Sequence, residues 1–294
     1  LSAQAERFGD VDKAVGMRRP GVFYFDAESD AAGLVEQTKN PGAMRLTEQA
    51  LLNAVQQRFA ALDWRQPQFV YLNIQAAHYP YSHARMPALL NDIRLRREEM
   101  QPAAAAQIRA SYLNAVANAD WLIGQLQQLI RQYQLNPLQF YVSDHGESLF
   151  DDGFLGHGHQ LNDVQTQLLL VASERLPWPA RLGHTDLTAV MLPAALQLAP
   201  PALVASQPAK SIEPTVLQLI GRLSQPQQIG VVHRGGRLIY DFRLAQYRFP
   251  SHVRPGLQSS VRLPTPLRPA GEELIRQWGW LRYHQSQHRQ QRLH

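Results

Sequence analysis

The chain has 294 residues, 45% of them apolar, and no long polar tract, which is enough to bury the core of one large domain or of a large and a small one. It contains no cysteine, so disulfides, thiolate catalysis and thiolate metal ligands are excluded, and any metal site must be built from histidine and carboxylate. The formal charge is +5, and the segment from Pro250 onward carries seven arginines against Glu272 and Glu273, a basic end that fits either a solvated helix face or an anionic surface. Nothing there has helix-turn-helix spacing or interleaved aromatics, so no nucleic-acid partner is expected.

Gly21-Val22-Phe23-Tyr24-Phe25 reads as a short buried strand or an extended segment. Thr47, followed by Glu48 and by Leu51, Leu52, Val55, Phe59 and Leu62, predicts an N-capped amphipathic helix that ends before Pro67. Gln68 to Ile74 then predicts a second strand, running into the loop Ala77-His78-Tyr79-Pro80-Tyr81. From Ala103 to Tyr133 the positions Ile108, Tyr112, Val116, Ala119, Ile123, Leu126 and Ile130 recur every three or four residues, which predicts the longest helix. The apolar run Leu138 to Val142 follows directly, and Gln167 to Ala172 with a helix from about Thr185 repeats the strand-helix order. Strand, long helix, strand is the crossover of a parallel sheet, so the expected fold is α/β, a mostly parallel sheet flanked by helices.

Thr188 to Ala205 is nearly apolar, but Pro193, Gln197, Pro200 and Pro201 disqualify it as a membrane span. The prolines 200, 201 and 208 mark a connector, which places a first domain over residues 1–205 and a smaller one over 206–294. In the second, Gln228 to His233 and Leu238 to Phe242 flank Gly235-Gly236, which predicts a hairpin within a small antiparallel sheet, and a last helix starts near Glu272.

The residues with the most chemistry follow Val142. Ser143-Asp144-His145-Gly146-Glu147 sits at a strand's end, and His157 comes twelve residues after His145 in Gly156-His157-Gly158-His159. Adjacent strand residues point to opposite faces, so Asp144 and His145 share an ion only if the chain bends, and Gly146 permits a bend. An Asp-His pair suits a divalent ion without choosing among zinc, manganese and calcium. Taken singly, Asp144 also suits a turn carboxylate and His145 a buried imidazole, and His159 is a rival to His157. Asp120 reads as a polar-face residue of the long helix, and Glu147 as a candidate support for a ligand.

The ordered set Leu72 to Tyr81, Ser111 to Val116 with Asp120, Ser143 to Ser148, Gly156-His157-Gly158, Asp163 to Gln167 and His184 to Thr188 resembles the sulfatase branch of the alkaline phosphatase superfamily. That branch includes membrane-anchored phosphoethanolamine and phosphoglycerol transferases. The resemblance implies that Asp144 and His145 are metal ligands, and that His78 and His157 bind the transferred phosphate or sulfate or protonate the leaving group. It implies a metal-dependent hydrolase or phospho-group transferase acting on sulfate or phosphate esters, some of lipid or glycan origin, at the periplasmic or extracytoplasmic face of a membrane. One departure stands out. The family opens with a strand ending in an acid and followed by a Cys, Ser or Thr nucleophile motif; Gly21 to Asp30 imitates such a strand, but no suitable nucleophile follows, since Thr38 and Thr47 lack the surrounding small-residue motif. The chain is therefore expected to be the C-terminal part of the catalytic domain, inactive alone, with its nucleophile and membrane anchor upstream. The alternative from another class is an inactive sulfatase-like module that binds anionic lipid or glycan.

Overall fold

The computed structural model describes residues 1–14, 16–178, 181–197, 215–233, 236–250 and 257–291. The contacts separate into two compact units, Leu1–Pro137 and Leu138–His294.

In the first unit the extended segment 1–6 is central. Ser2 makes a parallel bridge to Asn73, Gln4 an antiparallel bridge to Arg45, and the Ser2 N–H donates to the Phe25 carbonyl. Ala3 and Ala5 are buried against a short helix-rich core formed by α2 (Glu48–Ala61) and the C-terminal half of α3 (Ala105–Gln132), with Leu51, Leu52, Val55, Phe59, Leu122, Leu126 and Leu129 at its centre. A single turn, α1 (Val11–Ala14), precedes them. The Thr47 hydroxyl accepts from the Ala50 N–H at 3.2 Å and caps α2, as its sequence predicts.

The long helix differs from its expected face. Its buried stripe runs through Ile108, Ser111, Ala115, Asn118, Leu122, Leu126 and Leu129, while Val116 and Leu113 are exposed. Asn114 and Asn118 are drawn inside because they satisfy a loop backbone: both amides donate to the Pro87 carbonyl at 3.0 Å, and Asn114 Oδ1 accepts from the Leu90 N–H. Backbone polar groups that a loop turns toward a buried helix face need such partners, and apolar periodicity cannot foresee them.

The predicted strands Gly21–Phe25 and Gln68–Ile74 are extended segments without a ladder of their own. Phe69, Val70 and Tyr71 are exposed, and the parallel pairing is confined to the bridge at Asn73. Among the described residues no parallel central sheet forms. The strand before the Asp-His motif, β1 (Phe140–Val142), pairs with β4 (Leu170–Ala172) antiparallel, not parallel, with Tyr141 opposite Val171. The chain returns to β1 through a tight loop region and one short helix, α4 (Asp163–Thr166), and that route reverses strand direction where a crossover helix would preserve it.

The second unit also holds the two-residue hairpin strands β2 (Ser148–Leu149) and β3 (Leu155–Gly156), and α5 (His184–Ala195). A five-stranded antiparallel meander follows: β5 (Val216–Arg222), β6 (Gln225–His233), β7 (Gly236–Asp241), β8 (Gln246–Pro250) and β9 (Leu257–Ser260). The predicted hairpin is β6–β7, with Gln228 opposite Asp241. One face of this sheet packs on α6 (Arg268–Gln291) through Ile229, Val231, Leu238, Phe249, Ala270 and Leu274. The outer side of α6 exposes Ile275, Trp280 and Tyr283. The proline connector lies outside the described residues. No described helix is long and apolar enough to cross a membrane.

Candidate active site

The β2–β3 hairpin assembles the site. Ser148 pairs with Gly156, so the next residues outward, Glu147 and His157, stand opposite one another on one face. His157 Nδ1 lies 2.8 Å from Glu147 Oε2 accordingly. His145, two residues before Glu147, stacks its ring on His157 with centroids 3.4 Å apart. Gly156 and Gly158 hold φ of +92° and +76°, left-handed conformations that suit glycine and turn the chain sharply on either side of His157.

Each ring is oriented by an acceptor. A carbonyl only accepts, so the 2.9 Å contact between His145 Nδ1 and the Gly146 oxygen puts the proton on Nδ1 and leaves the Nε2 lone pair facing Asp144 Oδ2, 3.5 Å away. The Asp144 side chain is 88% exposed, and its Oδ1 accepts from the His145 N–H. The Glu147 side chain, at 9% exposure, accepts from His157, which raises the His157 pKa above its ordinary value by hydrogen bonding against the opposing effect of burial. Donor atoms of His145, Glu147 and His157 all lie within 4.8 Å of one another. Two imidazoles and carboxylate oxygen form a donor set that fits a divalent cation, so the residues present fit the metal that the resemblance implies.

The structure thus brings Asp144, His145 and His157 together, with Glu147 hydrogen-bonded to His157 beside them. His159 is turned elsewhere: its ring stacks on Phe154 at 5.0 Å, and its N–H donates to Gln165 Oε1. His78 belongs to the first unit, where its Nδ1 lies 2.8 Å from the Tyr79 oxygen. Asp120 is exposed on α3. The acidic stretch after Phe25 is engaged in turns, with Asp26 accepting from Glu6 and Glu28 N–H groups and Asp30 from Gly33.

A second layer fixes the hairpin. Asp152 accepts from Ser148 Oγ, Asn162 Nδ2, Gln165 Nε2 and the Phe154 N–H. Burial alone would raise its pKa, but these donors outweigh it and hold it below the ordinary carboxylate value. A depressed carboxylate contributes stability that is present above its unfolded pKa of about 3.9 and is lost as pH falls through the folded value. Asp152→Asn should therefore loosen the hairpin at neutral pH and abolish the acid-dependent part of its loosening, read as amide exchange at Leu149 and Phe154 across pH 2 to 5. An unchanged acid profile in the variant would remove Asp152 from this role.

The meander supplies the rest. Gln228, fully buried, accepts from the Leu161 N–H at 3.1 Å and donates to the fully buried Asp241 at 2.7 Å. Arg237 donates to the Leu161 carbonyl and to Thr166 Oγ1 and pairs with Asp163 at 3.0 Å. Leu161 seats over Gly230, where any side chain would crowd it. Asp163 and Thr166 fall within the Asp163 to Gln167 landmark, but Gln228, Arg237 and Asp241 carry no sequence motif. The register of Gln228 against Asp241, both polar in an apolar hairpin, is the one signal that would have found them.

A family model described as Sulfatase matches residues 17–199, more than half of the chain. The chain belongs to the sulfatase family. No curated protein and no solved structure matches the sequence. Membership in the sulfatases implies an α/β fold and hydrolase or transferase chemistry on sulfate or phosphate esters, typically with a metal. The matched span contains the whole Asp144 to His157 cluster and ends before β5, so the sheet that braces the sulfatase hairpin lies outside the family match.

Proposed function

We propose that this protein is the metal-dependent part of a sulfatase-type hydrolase or phospho-group transferase. The observation that carries the reading is the His145 ring, whose Nδ1 is tied to the Gly146 carbonyl so that Nε2 and Asp144 Oδ2 face one another. Asp144 and His145 would hold the ion, as the resemblance implies. An ion there neutralises ester oxygens and activates a hydroxyl nucleophile. His157, held by Glu147 on the neighbouring hairpin strand, stands ready to hydrogen-bond the transferred group, and His78 is proposed for the same task from its own loop. Glu147 then acts as an orienting carboxylate, a role that commonly changes metal affinity or activity by about 10–100-fold on mutation.

The proposal places residues 1–205 in the catalytic domain and 206–294 in a bracing subdomain. The nucleophile, the remaining acidic ligand and a membrane anchor would come from sequence beyond these residues, with the site on the extracytoplasmic side. Zinc, manganese and calcium are the candidate ions.

The test is a calorimetric titration of the chain with zinc or manganese. One ion should bind, and Asp144→Ala or His145→Ala should weaken it at least tenfold. Ester turnover by the natural full-length protein should disappear with Asp144→Ala. Absence of metal binding, or affinity indifferent to both variants, would refute the assignment.

A further inference from the structure

A separate polar pocket lies in the first unit, walled by the loop that follows His78. Arg45, Arg97, His83, Ser82, Glu36 and Pro80 line it. The His83 side chain is only 7% exposed, yet neither of its ring nitrogens has a hydrogen-bond partner, and its nearest carboxylate oxygen, on Glu48, is 3.5 Å from Nε2. Buried polar atoms are nearly always satisfied, so an imidazole left unpaired beside a pocket marks a place for a ligand.

The two guanidiniums make the same point independently. Arg45 donates to the His78 carbonyl at 3.1 Å, and Arg97 lies over the Tyr79 ring at 5.4 Å, but among the described residues neither forms an ion pair with a carboxylate. Arg45 is half-buried, and its partial burial pulls its pKa below the ordinary guanidinium value; Glu36 and Glu48 partly oppose this, and the nearby charge of Arg97 adds to it. Two neighbouring cations on one pocket wall repel one another and are stabilised by an anion, and planar guanidiniums fit the paired oxygens of phosphate or sulfate.

We infer that Arg45, Arg97 and His83 form an oxyanion-binding subsite for a phosphate or sulfate group, next to the His78 loop. The inference goes beyond the metal site and stands without it. Through the Arg45 contact to the His78 carbonyl, an occupant of the pocket would also brace the loop that carries His78.

The test is a titration of the chain in the presence of EDTA, which removes any metal contribution, with inorganic phosphate, inorganic sulfate and glycerol 3-phosphate in separate arms. Saturable binding should appear, and Arg97→Gln should weaken it about tenfold or more, as expected for a lost charged hydrogen bond. Arg97 is exposed, so this variant should fold normally, and Arg45→Gln should then deepen the loss. Arg65→Gln, a change to an exposed arginine paired with Asp63, should leave binding unchanged. Preference for glycerol 3-phosphate would assign the site to a substrate headgroup, and equal or better binding of the inorganic ions to free anion. No saturable binding in any arm, or binding unaffected by Arg97→Gln and Arg45→Gln, overturns the inference. Metal binding at Asp144 and His145 is read separately, so either assignment can fail alone.

Discussion

Gly146→Ala should disable the metal site while leaving most of the chain folded. A methyl group on Gly146 would collide with the Val164 carbonyl oxygen and lie 3.1 Å from that of Gln167, and both are backbone atoms that no side-chain rotation relieves. The Gly146 N–H also donates to the Gln165 carbonyl at 3.0 Å, so the glycine and the start of the β4 approach are locked together. Relief requires moving the 144–147 segment, α4, or both, at a cost of about 1–3 kcal/mol in a packed site. Movement at 144–147 separates the Nε2 of His145 from Asp144 and breaks its stacking on His157. We expect zinc affinity to fall more than tenfold by calorimetry and urea stability to fall by about 2 kcal/mol. Gly124→Ala is the matched control: nothing lies within 4 Å of its added methyl, so the long helix should gain about 0.5–1 kcal/mol. Unimpaired metal binding by Gly146→Ala would mean that the close approach does not position the ligands.

Gln228→Leu should have the largest effect on stability from outside the site. The replacement keeps a similar volume and removes both hydrogen bonds, orphaning the buried Leu161 N–H and taking one donor from the buried Asp241 carboxylate. Each unsatisfied buried group costs about 1–3 kcal/mol, so a loss of about 3–5 kcal/mol is expected in urea titration. Asp241 retains the backbone N–H groups of Arg243 and Leu244, which keeps the cost below that of a bare buried charge. Because Leu161 leads into the Asn162–Gln165 turn that holds Asp152, metal affinity should drop as well. A stability change below about 1 kcal/mol would show that the meander and the hairpin are not coupled through this residue.

Both predictions concern residues whose importance differs in how visible it was. Gly146 sits inside a recognisable motif, and a need for glycine at the bend was readable; the reason for it, a carbonyl from nearly twenty residues later, was not. Gln228 was legible only as part of an apolar hairpin. The α3 stripe shows the same limit from the other side, since Asn114 and Asn118 took core positions that periodicity assigned to apolar neighbours.

By itself the sequence determined the local elements: the capped helix after Thr47, the long helix, the β6–β7 hairpin and the chemistry-bearing Asp144, His145, Glu147 and His157. These follow from short-range preferences of spacing, capping and turns, which need no distant partner. Only the tertiary structure decided the antiparallel pairing of β1 with β4, the placement of His157 rather than His159 beside His145 and Glu147, and the bracing of the hairpin by Gln228 and Arg237. Those outcomes rest on contacts such as Leu161 to Gln228 and Leu161 to Arg237, 67 and 76 residues apart, whose geometry exists only once the chain has closed those loops.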